Sequence, residues 1–250
     1  MQRSLRLAFS DPWRVAVRVI AGRRGLAWLY KRRNLLADPS GIDRDRLAQT
    51  VGVTPKRIND LILELSGSGL FEHFYNHAKE HAFVDSYWCA MEGAPALYAI
   101  TRVLQPTTVV ETGTWWGLSS ACVLQAMKAN GRGRLISIDI DSGSGGAIPR
   151  ELRDAWQLVV GPSSQRLPAL LESLRRVDMF IHDSEHSYEN MMREFTTAWP
   201  FIMDSGLLVS DDVNLNSAFD EFASKVGRQP FIIYKRSMRG SQRQMGLVKK

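Results

Sequence analysis

From Asp85 onward the pattern of hydrophobic and polar positions changes character. A helix running to about Leu104 stops at Pro106, and short apolar runs then alternate with longer amphipathic ones. The runs predict strands at 107–112, 134–139, 157–160, 178–182 and 206–210, with helices near 117–129, 164–174, 187–203 and 215–226. Strand–helix alternation is the mark of a parallel sheet covered on both faces, so the expected fold class is a doubly wound α/β domain. Two last strands, 230–235 and 243–249, flank a short loop containing Gly240 and pair as an antiparallel hairpin.

Upstream the pattern predicts helices alone. Ser10-Asp11-Pro12 starts one that runs to about Leu36, divided in two by Gly22 and Gly25. Pro39-Ser40-Gly41 is a loop. A helix from Asp43 to Thr50, a turn at Val51-Gly52-Val53 and a second helix opened by Thr54-Pro55 and ending near Ser66 form a helix-turn-helix-like pair at 43–66. His73, His77 and His81 fall on one stripe of the next helix, as a polar face, a lid over a site, or metal ligands. The expected organisation is a helical cap or dimerisation region at 1–81 and a ligand-binding domain at 82–250.

Composition adds an asymmetry of charge. Residues 1–80 hold 14 Lys and Arg against 8 Asp and Glu, whereas residues 81–250 hold 18 of each, so the whole net charge of +6 lies in the first third. Such a segment suits a solvated helical surface, an anionic surface or an acidic partner. Nucleic acid is disfavoured, because Ile58, Leu61, Ile62 and Leu65 leave the second helix of the pair few side chains to read bases. No run of 18 uncharged apolar residues predicts a membrane span, and no apolar signal region opens the chain. Two cysteines, Cys89 and Cys122, offer neither a disulfide framework nor a zinc spacing, which suits a cytoplasmic location.

Candidate chemistry gathers at the strand ends. The first strand ends in Glu111 and leads through Thr112-Gly113-Thr114-Trp115-Trp116-Gly117 into a helix. A glycine-bearing turn there lets the backbone approach a ligand closely, and Trp115 between the glycines argues against the pyrophosphate of a dinucleotide. The second strand ends in Asp139, 22 residues after Gly117, where an acid accepts hydrogen bonds from ribose hydroxyls; Asp141 is the alternative.

The most specific text is Asp-Met-Phe-Ile-His-Asp-Ser-Glu-His-Ser-Tyr-Glu at 178–189 and Gly-Leu-Leu-Val-Ser-Asp-Asp-Val at 206–213. With the glycine turn, these motifs make residues 82–250 resemble class I methyltransferases that use S-adenosylmethionine (SAM), in particular the metal-dependent sugar O-methyltransferases of the macrocin and mycinamicin type and the wider group with an Asp-Gly-Asp-His-Ser-Tyr-Glu motif. The resemblance implies a seven-stranded sheet finished by the hairpin. It implies Mg²⁺ held by Asp183, Asp211 and Asp212, and His186 as general base beside Asp183. It also implies a SAM site lined by Glu111, Gly113, Thr114, Gly117, Asp139 and Asp183, the last near the SAM amino group. Pro162 stands where many relatives carry an adenine-contacting Asp; Ser163 substitutes for it or caps the next helix. Ser184-Glu185 departs from the usual Gly-Asp, and Asp211 stands where some relatives carry Glu. Three carboxylates converging at the strand tips would repel one another unless a cation joined them, which agrees with a hard divalent ion. Otherwise Asp183 is a helix cap and Asp211-Asp212 a solvated loop. His182 alternates to the other side of its strand and reads as structural, Tyr188 and Trp199 as packing, and Trp115 or Trp116 as a pocket wall.

The expected function is therefore SAM-dependent O-methyl transfer to a small hydroxylated molecule, a sugar or a natural-product intermediate, by a homo-oligomer such as a dimer. Three alternatives remain: a SAM-fold binding or scaffold protein without turnover, a regulator using the basic helices on DNA, and a metal-dependent hydroxylase.

Overall fold

The computed structural model describes residues 42–81, 93–236 and 242–250. The helices expected within 10–36, the loop at 39–41, the first part of the helix expected from Asp85 with Cys89, and the Gly240 turn lie outside the described residues.

The helical pair expected at 43–66 is present. Helix α1 (Arg44–Val51) is capped by Asp43, whose side chain accepts from the Arg46 amide at 3.0 Å, and ends at Gly52 with φ +74°. Helix α2 (Pro55–Ser66) is capped by Thr54 and turns Ile58, Leu61, Ile62 and Leu65 inward. It packs on α4 (Ala94–Leu104), where Tyr98 Oη and Arg102 Nε donate to Glu64 at 2.7 and 3.0 Å. Between them lies α3 (Leu70–Glu80), which carries the histidine stripe.

The α/β region runs β1 (Thr108–Thr112), α5 (Leu118–Asn130), β2 (Arg134–Asp139), β3 (Trp156–Val160), α6 (Ser163–Leu174), β4 (Val177–His182), α7 (Tyr188–Ala198), β5 (Ile202–Ser210), α8 (Ala218–Lys225), β6 (Phe231–Arg236) and β7 (Gln242–Lys249). The seven strands form one sheet in the order β3-β2-β1-β4-β5-β7-β6. The first five are mutually parallel, while β7 runs antiparallel between β5 and β6, so the expected terminal hairpin forms. Chain order reverses between β1 and β4, and an open α/β sheet binds its ligands in the crevice at such a reversal, beyond the C-terminal strand ends.

Both faces of the sheet are covered, as a parallel sheet requires. Val109, Met179, Ile181, Leu207 and Val209 pack in one apolar cluster with side chains of α1 to α5. Val110, Ile138, Phe180 and Leu208 pack in another with α6, α7 and α8. Leu47, Ile58, Leu65 and Phe74 belong to the first cluster, so the helices before residue 82 share a continuous core with the sheet. Among the described residues no helix is long and apolar enough to cross a membrane.

One expected boundary is corrected. The helix predicted to reach residue 203 ends at Ala198; a single tight turn, Trp199–Phe201, follows, and β5 starts at Ile202 instead of 206. Pro200 lies in that turn and cannot donate to a helical ladder. Ser205 adopts φ +66°, and the pairing of β5 with β4 shifts between Val177 and Met179. This irregular start left no alternating pattern to read.

Candidate active site

Two turns form the lips of the crevice, one after β1 and one after β4. They touch at Gly113. Its φ is +84°, and a β-carbon built there would lie 1.9 Å from the Asp183 carbonyl oxygen and 2.8 Å from the Ser184 nitrogen. The Asp183 amide donates to the Thr112 carbonyl at 2.8 Å, extending the β1–β4 pairing past the strands. Glycine is required here for close backbone approach as well as for the dihedral.

Beyond Gly113, Trp115 takes φ +46°, the left-handed conformation a glycine would adopt, and its indole is 51% exposed. Asp139 supports this costly backbone. Its Oδ2 accepts from the amides of Thr114 and Trp115 at 2.8 and 3.0 Å, and its Oδ1 accepts from the Asp141 amide at 3.1 Å. Burial pushes the Asp139 carboxyl up, but these backbone donors outweigh it and leave the group below its ordinary range. Asp141 folds onto its own loop, accepting from the Gly143 amide at 2.8 Å. Of the two acids, Asp139 is the one built into the β1 turn, and it remains partly exposed. Beside it Ile140 is 76% exposed at the tip of β2, an apolar surface with no sequence signal of its own.

Glu111 lies beneath the turn. The side chain is 1% exposed, and Oε1 accepts from the hydroxyls of Ser120 on α5 and Ser137 on β2. In this structure the carboxylate therefore braces the lip from below. Burial pushes its carboxyl up to about 7, against the pull of Ser120 and Ser137 and with the charge of Asp139 adding to the rise. A raised carboxyl binds its proton more tightly in the folded state. The stability it contributes is complete below the ordinary pKa and is lost as pH rises through 7. The non-ionising variant Glu111→Gln is expected to gain on the wild type by on the order of 3 kcal/mol between about pH 4 and about pH 8. Urea unfolding at a series of pH values checks this, and a parallel pH dependence for the two proteins contradicts it.

The loop at 141–150 docks on the same turn. The amides of Gly145 and Ala147 donate to the carbonyls of Trp115 and Trp116 at 2.6 and 3.3 Å. Helix α3 adds the histidine stripe. His73 Nε2 lies 2.9 Å from the Ala147 carbonyl, while His77 and His81 stack at 4.2 Å and meet the Trp116 ring at 5.0 and 5.6 Å. The stripe is an aromatic wall beside the β1 turn. Among the described residues no group of three or more His, Cys, Asp or Glu side chains is arranged to hold a metal, and this covers the stripe too.

On the other lip, Asp183 and His186 come together, His186 Nε2 lying 3.8 Å from Asp183 Oδ1 with both side chains partly exposed. The Asn216 side chain holds the His186 carbonyl at 2.9 Å, and Ser187 caps α7. Tyr188 reaches away to Glu221 on α8 at 2.6 Å.

Asp211 and Asp212 follow β5. The structure does not gather them with Asp183 into the three-carboxylate cluster expected from sequence. Asp212 takes φ +48°, is nearly buried, and pairs through Oδ2 with Arg243 of β7 at 3.2 Å. A guanidinium thus places a positive charge beside one of the acids that the sequence pattern singled out. Arg243 lies in the hairpin, far along the chain, and nothing in its sequence neighbourhood announced this role. Ser163 opens α6, which has no side-chain cap, and its hydroxyl helps to lower the pKa of Glu194 of α7. Glu194 was also missed, although its place on the apolar face of α7 with Met191, Phe195 and Ala198 was a legible signal.

This strand order, with an antiparallel strand inserted beside β5 and a glycine turn leading from β1 into a helix, defines the class I methyltransferase fold. Residues 110–213 match a family model described as a methyltransferase domain, and both lips of the crevice lie within that match. The chain is 29% identical over 124 residues to rhamnosyl O-methyltransferase from Mycobacterium bovis and from Mycobacterium tuberculosis; the match covers 47% of this chain and 50% of each relative. The chain thus spans about half the length of the curated relatives it matches. Among solved structures it resembles an O-methyltransferase from Bacillus cereus in complex with SAH (TM-score 0.55, 14% identity, 69% of this chain and 90% of that one). It also resembles the O-methyltransferase TomG from Streptomyces achromogenes, involved in tomaymycin synthesis and in complex with SAM (TM-score 0.56, 19% identity, 73% and 90%). At these identities the likeness is one of fold.

Proposed function

We propose that this chain is a SAM-dependent O-methyltransferase whose acceptor is a hydroxyl of a small molecule, with a sugar hydroxyl the first to test. The observation that carries the reading is the meeting of the two lips: Gly113 against Asp183 at the chain reversal, Asp139 on one side and His186 on the other. The name of the mycobacterial relatives supports the sugar, and the 178–189 motif supports the macrocin-type group.

The residues present suit a nucleoside. Asp139 keeps an exposed edge for ribose hydroxyls, Ile140 offers an apolar face to a base, and the Gly113 backbone lets a ligand come close. When bound, SAM supplies a methyl group on a positively charged sulfur. The chain's own part is alignment and proton removal. His186 accepts the proton of the acceptor hydroxyl as its oxygen takes the methyl group, and Asp183, 3.8 Å away, steadies the charged imidazole. The aromatic wall of Trp116, His77 and His81 borders the acceptor, which makes the helices before residue 82 its cap. Among the described residues no three donors converge on one point and Asp212 pairs with Arg243, so no step is routed through a metal.

Titration calorimetry with SAM and with SAH, followed by transfer of a labelled methyl group to a panel of rhamnosides and other glycosides, tests the proposal. Binding of both ligands is expected. Asp139→Ala should weaken SAH by about tenfold or more, since it loses the ribose contacts and the support of the β1 turn together. No SAH binding by the wild type rejects the reading.

A further inference from the structure

Beneath the lips lies a network that the proposed chemistry does not use. Glu194 of α7 is 1% exposed and His182, the last residue of β4, is 0% exposed. Glu194 Oε2 lies 2.7 Å from His182 Nδ1 and accepts from Thr112 Oγ1 at the end of β1. Glu194 Oε1 accepts from Ser184 Oγ at 2.9 Å and from Asn190 Nδ2 at 3.2 Å. The Asn190 amide also donates to the Glu185 carbonyl at 2.9 Å, which binds the turn after β4 to the first turn of α7.

An ionised carboxylate offers about four lone-pair sites, and the donors from Thr112, His182, Ser184 and Asn190 fill them. Burial pushes the Glu194 carboxyl up, but the hydrogen bond and charge of His182, with Ser163 and Thr112, bring it below its ordinary range, so it is an anion. His182 Nδ1 therefore carries the proton. Its Nε2 is buried and accepts no hydrogen bond among the described residues, and its ring stands edge-on to those of His186 and Phe195, each 5.3 Å away. Burying such a network often costs more than filling the space with apolar side chains, whereas a fully satisfied one fixes the positions of the groups it joins.

The network also joins the parts that must keep their places. Thr112 precedes Gly113, whose backbone abuts Asp183; Ser184 follows Asp183; His182 backs His186. The departure from Gly to Ser at 184 thus has a function, because a glycine could not bind Glu194.

We propose that Glu194 is a positioning residue: acting through Thr112, His182, Ser184 and Asn190, it sets the separation of the two lips and thereby the affinity for the adenosyl ligand. This rests on the reading of the crevice as a SAM site. The test measures the dissociation constant of SAH by calorimetry on folded protein, alongside the melting temperature without ligand. The variants are Glu194→Gln, which removes the charge and sets an amide against two donors, and Thr112→Val, which removes the link to β1 alone. Leu171→Ala, a truncation of the fully buried α6 core away from the lips, is the control. Weakening of SAH by about fivefold or more in Glu194→Gln, with Leu171→Ala losing thermal stability but keeping its affinity, is the expected result. Affinity within about fivefold of the wild type in Glu194→Gln overturns the proposal. If Glu194→Gln does not fold, Thr112→Val decides by the same threshold. Failure of the wild type to bind SAH would instead reject the SAM site itself, so the two failures are distinguishable.

Discussion

Gly113→Ala is expected to abolish SAH binding and to destabilise the fold by several kcal/mol. Two costs add. The φ of +84° disfavours any residue with a β-carbon, at on the order of 1–2 kcal/mol. The larger cost is steric, since the added carbon would sit 1.9 Å from a backbone oxygen, 2.4 Å from the Asp183 carbonyl carbon and 2.8 Å from a backbone nitrogen. Backbone cannot swing aside as a flexible side chain can. The turn after β4 must move, and with it the Thr112–Asp183 bond and the Glu194 network. Gly117 makes the contrast: its β-carbon would meet the Ile148 side chain at 2.5 Å, a neighbour able to turn, although its φ of +90° still carries strain. Gly113→Ala should therefore lose all measurable SAH binding, while Gly117→Ala retains some. Thermal unfolding and calorimetry on both variants check this, and wild-type affinity in Gly113→Ala would show that the lips do not close on the ligand.

The second large effect is expected at His186. His186→Ala should slow methyl transfer by about 10²–10⁴ while leaving SAH affinity nearly unchanged, because the proposed mechanism gives the ring the acceptor proton and no part in holding the nucleoside. Rates are read by label transfer to whichever glycoside of the panel is active. Asp183→Asn should have a smaller effect on the rate, since in the proposed mechanism Asp183 reaches the proton only through His186, 3.8 Å away. Full activity in His186→Ala would move the base elsewhere and leave the crevice with a binding role only.

Much of the fold was legible before any coordinates. The alternation of apolar runs after Pro106, the hairpin at the end and the glycine turn after the first strand report local preferences: which residues alternate, which cap, and which tolerate a left-handed backbone. The boundary at 198–206 was not legible, because Pro200 and a shifted register broke the pattern on which such reading depends. The positions of the candidate site residues were legible in part. Asp139, Asp183 and His186 stand at strand ends, where chain position alone puts a side chain near the crevice. Glu111 stands there too, yet it points into the core, a choice made by Ser120 and Ser137 from two other elements.

The order of elements, their caps and the placing of acids at strand tips follow from the sequence itself, because each depends on neighbours a few residues away. Partner choice did not. Whether Asp212 met Arg243, whether the stripe of α3 faced water or Trp116, and whether Glu194 lay on a solvated face or met Thr112 and His182 depended on side chains brought together from other elements of the chain. Such pairings minimise the cost of buried charge over the whole assembled core, and that balance exists only once the sheet has closed.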